Sequence, residues 1–329
     1  MQAVYAHPPD TPSRYVDVVP FIKTWAAEVD ETYVRSAAET GGTRHVRFVT
    51  TSECELSILN VVARADTIDH TFEDLQSLNL TRSDRKYLVW MDANQICGIG
   101  ESYDDAKLGP LNMNNGPRGI SGMTARIDEG CWGDYSNLAR GSTEAHELTH
   151  TLGAVLSDAP NATRYGHCDD GYDVMCYGDG PGTHLRLDAC PLAHQQLLDC
   201  GHDDYFSTKP PLDSFLGTHW NTANSRFLEG AVLDTAAPVV QTSPAKVQRS
   251  RNVKLRFHVS DDSGTASVIL TVFRGRKLVK QWGAEDVLNG DYRVTWKAPA
   301  KAQLLDFCAV ARDPFGNKSA NACAPLKVT

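Results

Sequence analysis

The sequence predicts an α+β domain with a mixed sheet and helices, followed by an all-β sandwich, and three observations carry that reading. Through the first two-thirds of the 329 residues, short β-branched or aromatic runs alternate with helically spaced apolar segments. A Thr/Ala/Pro/Ser/Gln-rich stretch follows, and the remainder breaks into short strands separated by turns. The expected boundaries are 1–232 for the first domain, 233–248 for a linker and 249–329 for the sandwich, a size compatible with one large core and one small one.

Taken in order, residues 1–12 are polar and proline-rich and are expected to lie over the surface. Residues 18–38 carry the apolar spacing of a helix, with Phe21, Trp25, Val29 and Val34 toward the core. Residues 45–50, 56–62 and 86–91 read as strands, with some helix over 69–80 between the last two. Residues 103–140 turn to Asn, Gly, Pro and Asp and are expected as a long irregular cleft wall or lid. A helix is expected over 142–152, ended near Gly153, then a short helix at 190–198 and a last helix or turn at 219–228. Strands are expected at 253–259, 267–273, 277–282, 292–296, 304–312 and 322–328, with a hairpin turn at Asn289-Gly290.

Charge and cysteine content bound the partners. Formal charge is −9, and the 32 Lys and Arg form no basic run, which argues against nucleic acid. No stretch approaches about 18 apolar residues, so no membrane span is expected. The nine cysteines form no Cys-x-x-Cys pair, so disulfides are the better account. Closeness in sequence pairs Cys168 with Cys176, Cys190 with Cys200 and Cys308 with Cys323, and of Cys54, Cys97 and Cys131 the preferred bridge is Cys97 to Cys131. Disulfides imply an oxidising compartment, so a secreted, extracellular protein is expected, its signal peptide absent from this sequence; a monomer is expected as well.

Chemistry concentrates in His146-Glu147-Leu148-Thr149-His150. On a helix, the two histidines lie about one turn apart on one face, where both imidazoles reach one zinc ion and Glu147 faces the water to be activated. Zinc needs neutral imidazoles and an open position, and it acidifies water so that a neighbouring carboxylate can take the proton. A third protein ligand is required. His167 is preferred, since Cys168 beside it can be tied to Cys176; Asp158 is the runner-up, and Asp169, Asp170 and Asp173 lie nearby. Tyr177 can donate a hydrogen bond to an oxyanion. Asp169, Asp170, Asp173, Asp199, Asp203 and Asp204 offer oxygen ligands for calcium, but neither run fits the twelve-residue calcium loop and no calcium ligand is assigned.

With Gly153, Met175 and Tyr177 added, the pattern resembles the metzincin class of zinc metallopeptidases; through Gly166-His167-Cys168, Asp173-Val174-Met175-Cys176-Tyr177, Asp199-Cys200-Gly201 with Asp203-Asp204-Tyr205-Phe206, and His219-Trp220-Asn221, most of residues 45–228 is similar to secreted bacterial, especially actinobacterial, proteins of that kind. The resemblance implies a zincin-type catalytic domain followed by an immunoglobulin-like module. It makes His146 and His150 zinc ligands, Glu147 the general base, Gly153 the bend, Met175 the residue of a methionine turn, and Tyr177 the tyrosine near the oxyanion. One departure stands out: the third histidine of the pattern falls three residues after the glycine, where this chain has Leu156. Either an insertion carries the ligand on to His167, or Asp158 substitutes.

The function expected is a secreted zinc endopeptidase acting on an extended peptide or protein substrate laid along an edge strand. The alternatives are a zinc hydrolase of another amide or ester, such as cell-wall peptide, and a catalytically weak zinc-containing adhesion protein.

Overall fold

The computed structural model describes residues 1–115, 123–133, 142–180, 182–230, 236–261, 265–313 and 317–329. The chain divides into two compact units, Met1–Val232 and Leu233–Thr329. In the first, the elements run β1 (Gln2–His7), α1 (Tyr15–Glu39), β2 (His45–Val46), β3 (Ile58–Val62), α2 (Ile68–Ser77), β4 (Tyr87–Met91), β5 (Gly98–Gly100), β6 (Thr124–Asp128), α3 (Ser142–Thr151), α4 (Phe215–Thr218) and β7 (Leu228–Glu229).

A five-stranded sheet in the order β3-β1-β4-β6-β5 organises this unit, with four strands parallel and β5 antiparallel at one edge. Residues 1–12 are therefore not a surface segment, because Gln2–His7 pairs on both sides and its Ala3, Val4, Tyr5 and Ala6 are fully buried. The reason is that Ala3 and Tyr5 face one core while Val4 and Ala6 face another. A strand covered on both faces reads as a short continuous apolar run without alternation, easily lost beside Pro8, Pro9 and Asp10.

A second correction falls in 103–140, read as irregular, which contains the interior strand Thr124–Asp128, buried at every position. Its polarity hid it: Arg126 Nε donates to Asp128 Oδ1 at 2.7 Å, and its other nitrogens donate to Thr71 Oγ1 and Ala65 O. A buried charge is tolerable when its partners are all supplied. The parts of that expected lid at 116–122 and 134–140 lie outside the described residues.

Helix α1 lays Val18, Ile22, Trp25, Ala26, Val29 and Tyr33 against the sheet, each such burial being worth about 1.5–3 kcal/mol for a large aliphatic side chain. Phe21, expected in that stripe, is 55% exposed and stacks on Trp25 at its margin, and Val34 is only partly buried. Of the expected strand 45–50 only His45–Val46 forms, paired with β7. The helix expected at 190–198 is a single 3-10 turn at Leu192–His194, and 219–228 holds another at Thr222–Asn224.

The second unit is a β-sandwich. Strands β8 (Val239–Thr242), β9 (Ala245–Val247), β10 (Asn252–Ser260), β11 (Thr265–Arg274), β12 (Lys277–Leu288), β13 (Gly290–Lys297), β14 (Gln303–Arg312) and β15 (Ala322–Val328) form a three-stranded sheet, β13-β10-β8, and a five-stranded sheet, β12-β11-β14-β15-β9. Leu255, Phe257 and Val259 of one sheet meet Val268, Leu270, Val272, Leu305 and Phe307 of the other, as the two-sheet architecture requires. The supposed linker 233–248 is corrected in part, since β8 and β9 lie within it and supply one strand to each sheet. The four disulfides are Cys97–Cys131, Cys168–Cys176, Cys190–Cys200 and Cys308–Cys323, the pairings expected, with Cys54 free and exposed. Among the described residues no helix is long and apolar enough to cross a membrane.

Candidate metal centre and cleft

Helix α3 has only ten residues, and a helix so short is marginal by itself in water. Its position is set by long-range partners. Trp90 Nε1 and Gly133 N donate to Glu144 Oε1, Tyr33 and Thr149 share a hydroxyl hydrogen bond of 2.6 Å, and Trp220 Nε1 donates to Leu152 O at 2.7 Å. Gly153 has φ +99°, and a Cβ there would stand 2.7 Å from both Asn114 Nδ2 and Trp220 Nε1, so only glycine makes this bend. Strand β5 lies against the other flank. A Cβ at Gly98 would meet Glu147 Oε1 at 2.5 Å, and one at Gly100 would meet the Glu147 carbonyl oxygen at 2.3 Å.

After the bend the chain loops out over Leu156–Gly166 and returns, closed by Val155 N donating to Gly166 O at 3.1 Å. The return brings in His167. The Nε2 atoms of His146, His150 and His167 form a triangle with sides of 3.1, 3.1 and 3.2 Å. Asp158 is not among them; its carboxylate is 61% exposed and faces His219 Nε2 at 3.8 Å. Asp169 and Asp170 pair instead with Arg186, and Asp173 accepts from Met175 N, Cys200 N and Tyr205 Oη. Asp173 thus pins the turn that carries the fully buried Met175. The Cys168–Cys176 disulfide ties this turn to the residue after His167.

The triangle has a definite protonation pattern. His146 Nδ1 faces Val174 O at 2.7 Å and His150 Nδ1 faces Ala154 O at 2.9 Å; carbonyls only accept, so both protons sit on Nδ1. His167 Nδ1 donates to Asp179 Oδ2. All three Nε2 lone pairs then converge with no proton among them, an arrangement that repels itself unless a cation stands between. Three neutral nitrogens about 3.3 Å apart are what tetrahedral zinc bonds of about 2.0–2.1 Å would demand, so the donor set fits a zinc ion with one position left open. Burial, followed by the neighbouring histidine, lowers His146 to about 3 and His150 to about 4, and His167 is also held below its ordinary value, so the imidazoles are neutral.

Glu147 is buried beside this triangle, and desolvation pushes its carboxyl up to about 8. Tyr177 lies with its ring 4.1 Å from that of His167 and 5.8 Å from that of His146, and is 44% exposed. Both side chains border a recess of about 500 Å³ whose walls include Val174, Leu185 and Leu187. Its lining is mainly apolar.

Sequence reasoning missed Asp179, the carboxylate that orients His167. It stands twelve positions beyond its partner in a chain crowded with aspartates, so nothing in the pattern singled it out. The acidic residues considered for calcium gather only in part: Asp170, Asp203 and Asp204 bring carboxylate oxygens within 4.8 Å of one another, with Arg186 paired to Asp170.

No family model matches this chain, and no curated protein matches it. Among solved structures it is similar to the fibronectin(III)-like modules of Clostridium thermocellum CbhA, at 17% identity over 28% of this chain and 47% of that one, with a TM-score of 0.22. It is similar to the CARDB domain of PF1109 from Pyrococcus furiosus, at 16% identity over 28% of this chain and 91% of that one, TM-score 0.22. A PKD domain of an M14-like peptidase from a Thermoplasmatales archaeon matches at 14% identity over 28% and 92%, TM-score 0.22.

Proposed function

We propose that this chain is a secreted, monomeric zinc endopeptidase whose first unit is a zincin-type, metzincin-like catalytic domain and whose second is an immunoglobulin-like module. The single observation carrying the reading is the convergence of three unprotonated Nε2 atoms, from His146, His150 and His167, beside the buried carboxyl of Glu147. Bound there, zinc would supply Lewis acidity, acidifying a water and polarising the scissile carbonyl.

The remaining work belongs to the chain. Among the described residues edge strand β5 has a partner on one side only, and Gly98 brings its backbone against Glu147, so an extended peptide adding to that edge runs past the carboxylate. Ionised by the charge of a cation held at the three histidines, which would oppose the effect of burial, Glu147 takes the proton of the attacking water and returns it to the leaving amine. The Tyr177 hydroxyl, bordering the same recess, donates to the oxyanion that develops on the carbonyl. Four disulfides support export to an oxidising compartment.

The test is zinc content measured beside cleavage of a quenched mixed-peptide library. Stoichiometric zinc is expected in the parent, in Glu147→Ala and in Asp158→Ala. Cleavage should vanish in Glu147→Ala, and both zinc and cleavage in His167→Ala. A chain without zinc would overturn the proposal. Zinc without peptide cleavage would move the function to another amide or ester, or to adhesion.

A further inference from the structure

The formal charge of −9 conceals a strong asymmetry. Residues 1–232 carry 17 Lys and Arg against 33 Asp and Glu, whereas residues 233–329 carry 15 against 8. An acidic unit joined to a basic one points to a polyanionic partner for the basic one. The placement of those cations within the sandwich narrows the partner further.

In β10, Leu255, Phe257 and Val259 face the core, which turns Lys254, Arg256 and His258 outward. In β13, Tyr292, Val294 and Trp296 pack inward, which turns Asp291, Arg293, Thr295 and Lys297 outward on the same face. Arg256 stands directly opposite Arg293 in the ladder. Like charges at opposed positions destabilise a sheet, so this pair works against the sandwich until an anion lies across it. Neither arginine has an ion pair among the described residues, and neither do Lys254 and Lys297; the nearby Asp291 is taken by His258 at 3.0 Å. The two arginines border a polar groove of about 810 Å³, together with Gln241, Ser243, His258 and the His258-paired Asp291.

We propose that this face is a docking surface for a linear polyol-phosphate polymer. Side chains two positions apart on one strand repeat at about 7 Å, so Lys254 with Arg256, and Arg293, Thr295 and Lys297, form two rows whose step suits one phosphodiester per short polyol unit. Arginine forks fit phosphate in bidentate fashion. The outward-facing positions of β10 and β13 hold no Phe, Tyr or Trp; Phe257 and Tyr292, which also border the groove, stack on each other and pack against the core, and a three-stranded sheet is too broad to enter a duplex groove, so the charge is suited to a flexible polymer rather than to DNA or RNA. The inference stands independently of the peptidase reading, because it uses none of the histidine site.

The experiment uses the full chain and a fluorescent poly(glycerol phosphate), titrated at several salt concentrations, with duplex DNA and a neutral dextran as comparators. Binding is expected, weakening steeply with salt, at least tenfold tighter than to DNA and absent for dextran. Arg256→Glu/Arg293→Glu should weaken it at least tenfold and flatten the log–log salt slope by about 1–2. Lys277→Glu/Lys280→Glu, an equal change of charge on β12 of the other sheet, should change affinity less than threefold. Arg256→Gln removes the like-charge clash and should melt no lower than the parent, so it reads the site even where the double variant fails to fold. The proposal is overturned by no binding, by DNA or dextran binding as tightly, or by equal losses in the two charge-reversed doubles.

Discussion

Asp179→Ala offers a direct test of how the third histidine is held. Asp179 Oδ2 accepts from His167 Nδ1 and from Thr163 Oγ1 at 3.1 Å, and both side chains of the His–Asp pair are about nine-tenths buried. With the carboxylate gone, the Nδ1 proton loses its acceptor in a site shielded from water, the ring is free to rotate, and the Nε2 lone pair loses both aim and basicity. Outer partners of this kind are worth 10- to 100-fold in metal affinity, or about 1.4–2.7 kcal/mol. Asp179→Asn keeps an acceptor oxygen without the charge and should fall between variant and parent. The assay is zinc competition against a chromogenic chelator, with a thermal melt of each apo form to establish folding. His167→Ala should lose more affinity than either Asp179 variant. A folded Asp179→Ala that binds zinc like the parent would refute the orienting role and, with it, the argument that fixes the His167 tautomer.

Four further outcomes follow from the geometry. Gly100→Ala places a Cβ 2.3 Å from a backbone oxygen of α3 and 2.7 Å from His150 Cβ, so it should cost about 1–3 kcal/mol of stability and weaken zinc binding, read by denaturation and metal content. Replacing Cys168 and Cys176 with Ala opens a disulfide of sequence separation 8, worth about 2.5 kcal/mol by loop entropy, and the loss should appear as a lower denaturation midpoint. On the proposed endopeptidase function, the recess bordered by Leu185 and Leu187 should favour substrates with a large apolar residue beside the scissile bond, a preference that Leu187→Asp should reduce in a peptide-library profile. Lys86 is buried, its ammonium meeting Met123 Sδ at 2.8 Å and the Phe227 ring at 5.1 Å, and burial lowers its pKa from 10.5 to about 7. A depressed folded-state pKa contributes stability present above about 10.5 and lost as pH falls through about 7, so Lys86→Met should stabilise the protein by about 1–3 kcal/mol at neutral pH. That advantage should shrink toward pH 10, and melts at pH 7 and pH 10 with a constant difference would refute the assignment.

What could be read from the sequence was what depends on local spacing. The two histidines one turn apart, the sandwich strands with their alternating pattern and the short-range cysteine pairs all announce themselves within a dozen or so residues. Strand β6 did not, because Arg126 and Asp128 are polar by composition and are buried only because they pair with each other and find further partners in Thr71, Ala65, Gln95 N and Ile96 N. Strand β1 did not, because a run covered on both faces has no alternation to detect. His167 could be preferred over Asp158 because the neighbouring Cys168 can be tied to Cys176, whereas Asp179 could not be singled out, since its meaning depends on the fold of the loop between them. The glycines of β5 likewise look like ordinary turn residues until α3 is seen to lie against them.

The way α3 is held has a consequence for the order in which the molecule is made. Its clamps come from Tyr33, Trp90 and Trp220, separated from their partners on or beside the helix by 116, 54 and 68 residues. Contacts of such long range form slowly, since each must overcome the entropy of closing a large loop before it contributes anything. The two-histidine motif therefore comes to lie where it belongs only once the sheet and the segment around Trp220 are in place. A peptide spanning residues 98–180 alone would hold every candidate ligand and still be a poor chelator, and metal capture during refolding should track the last phase of folding.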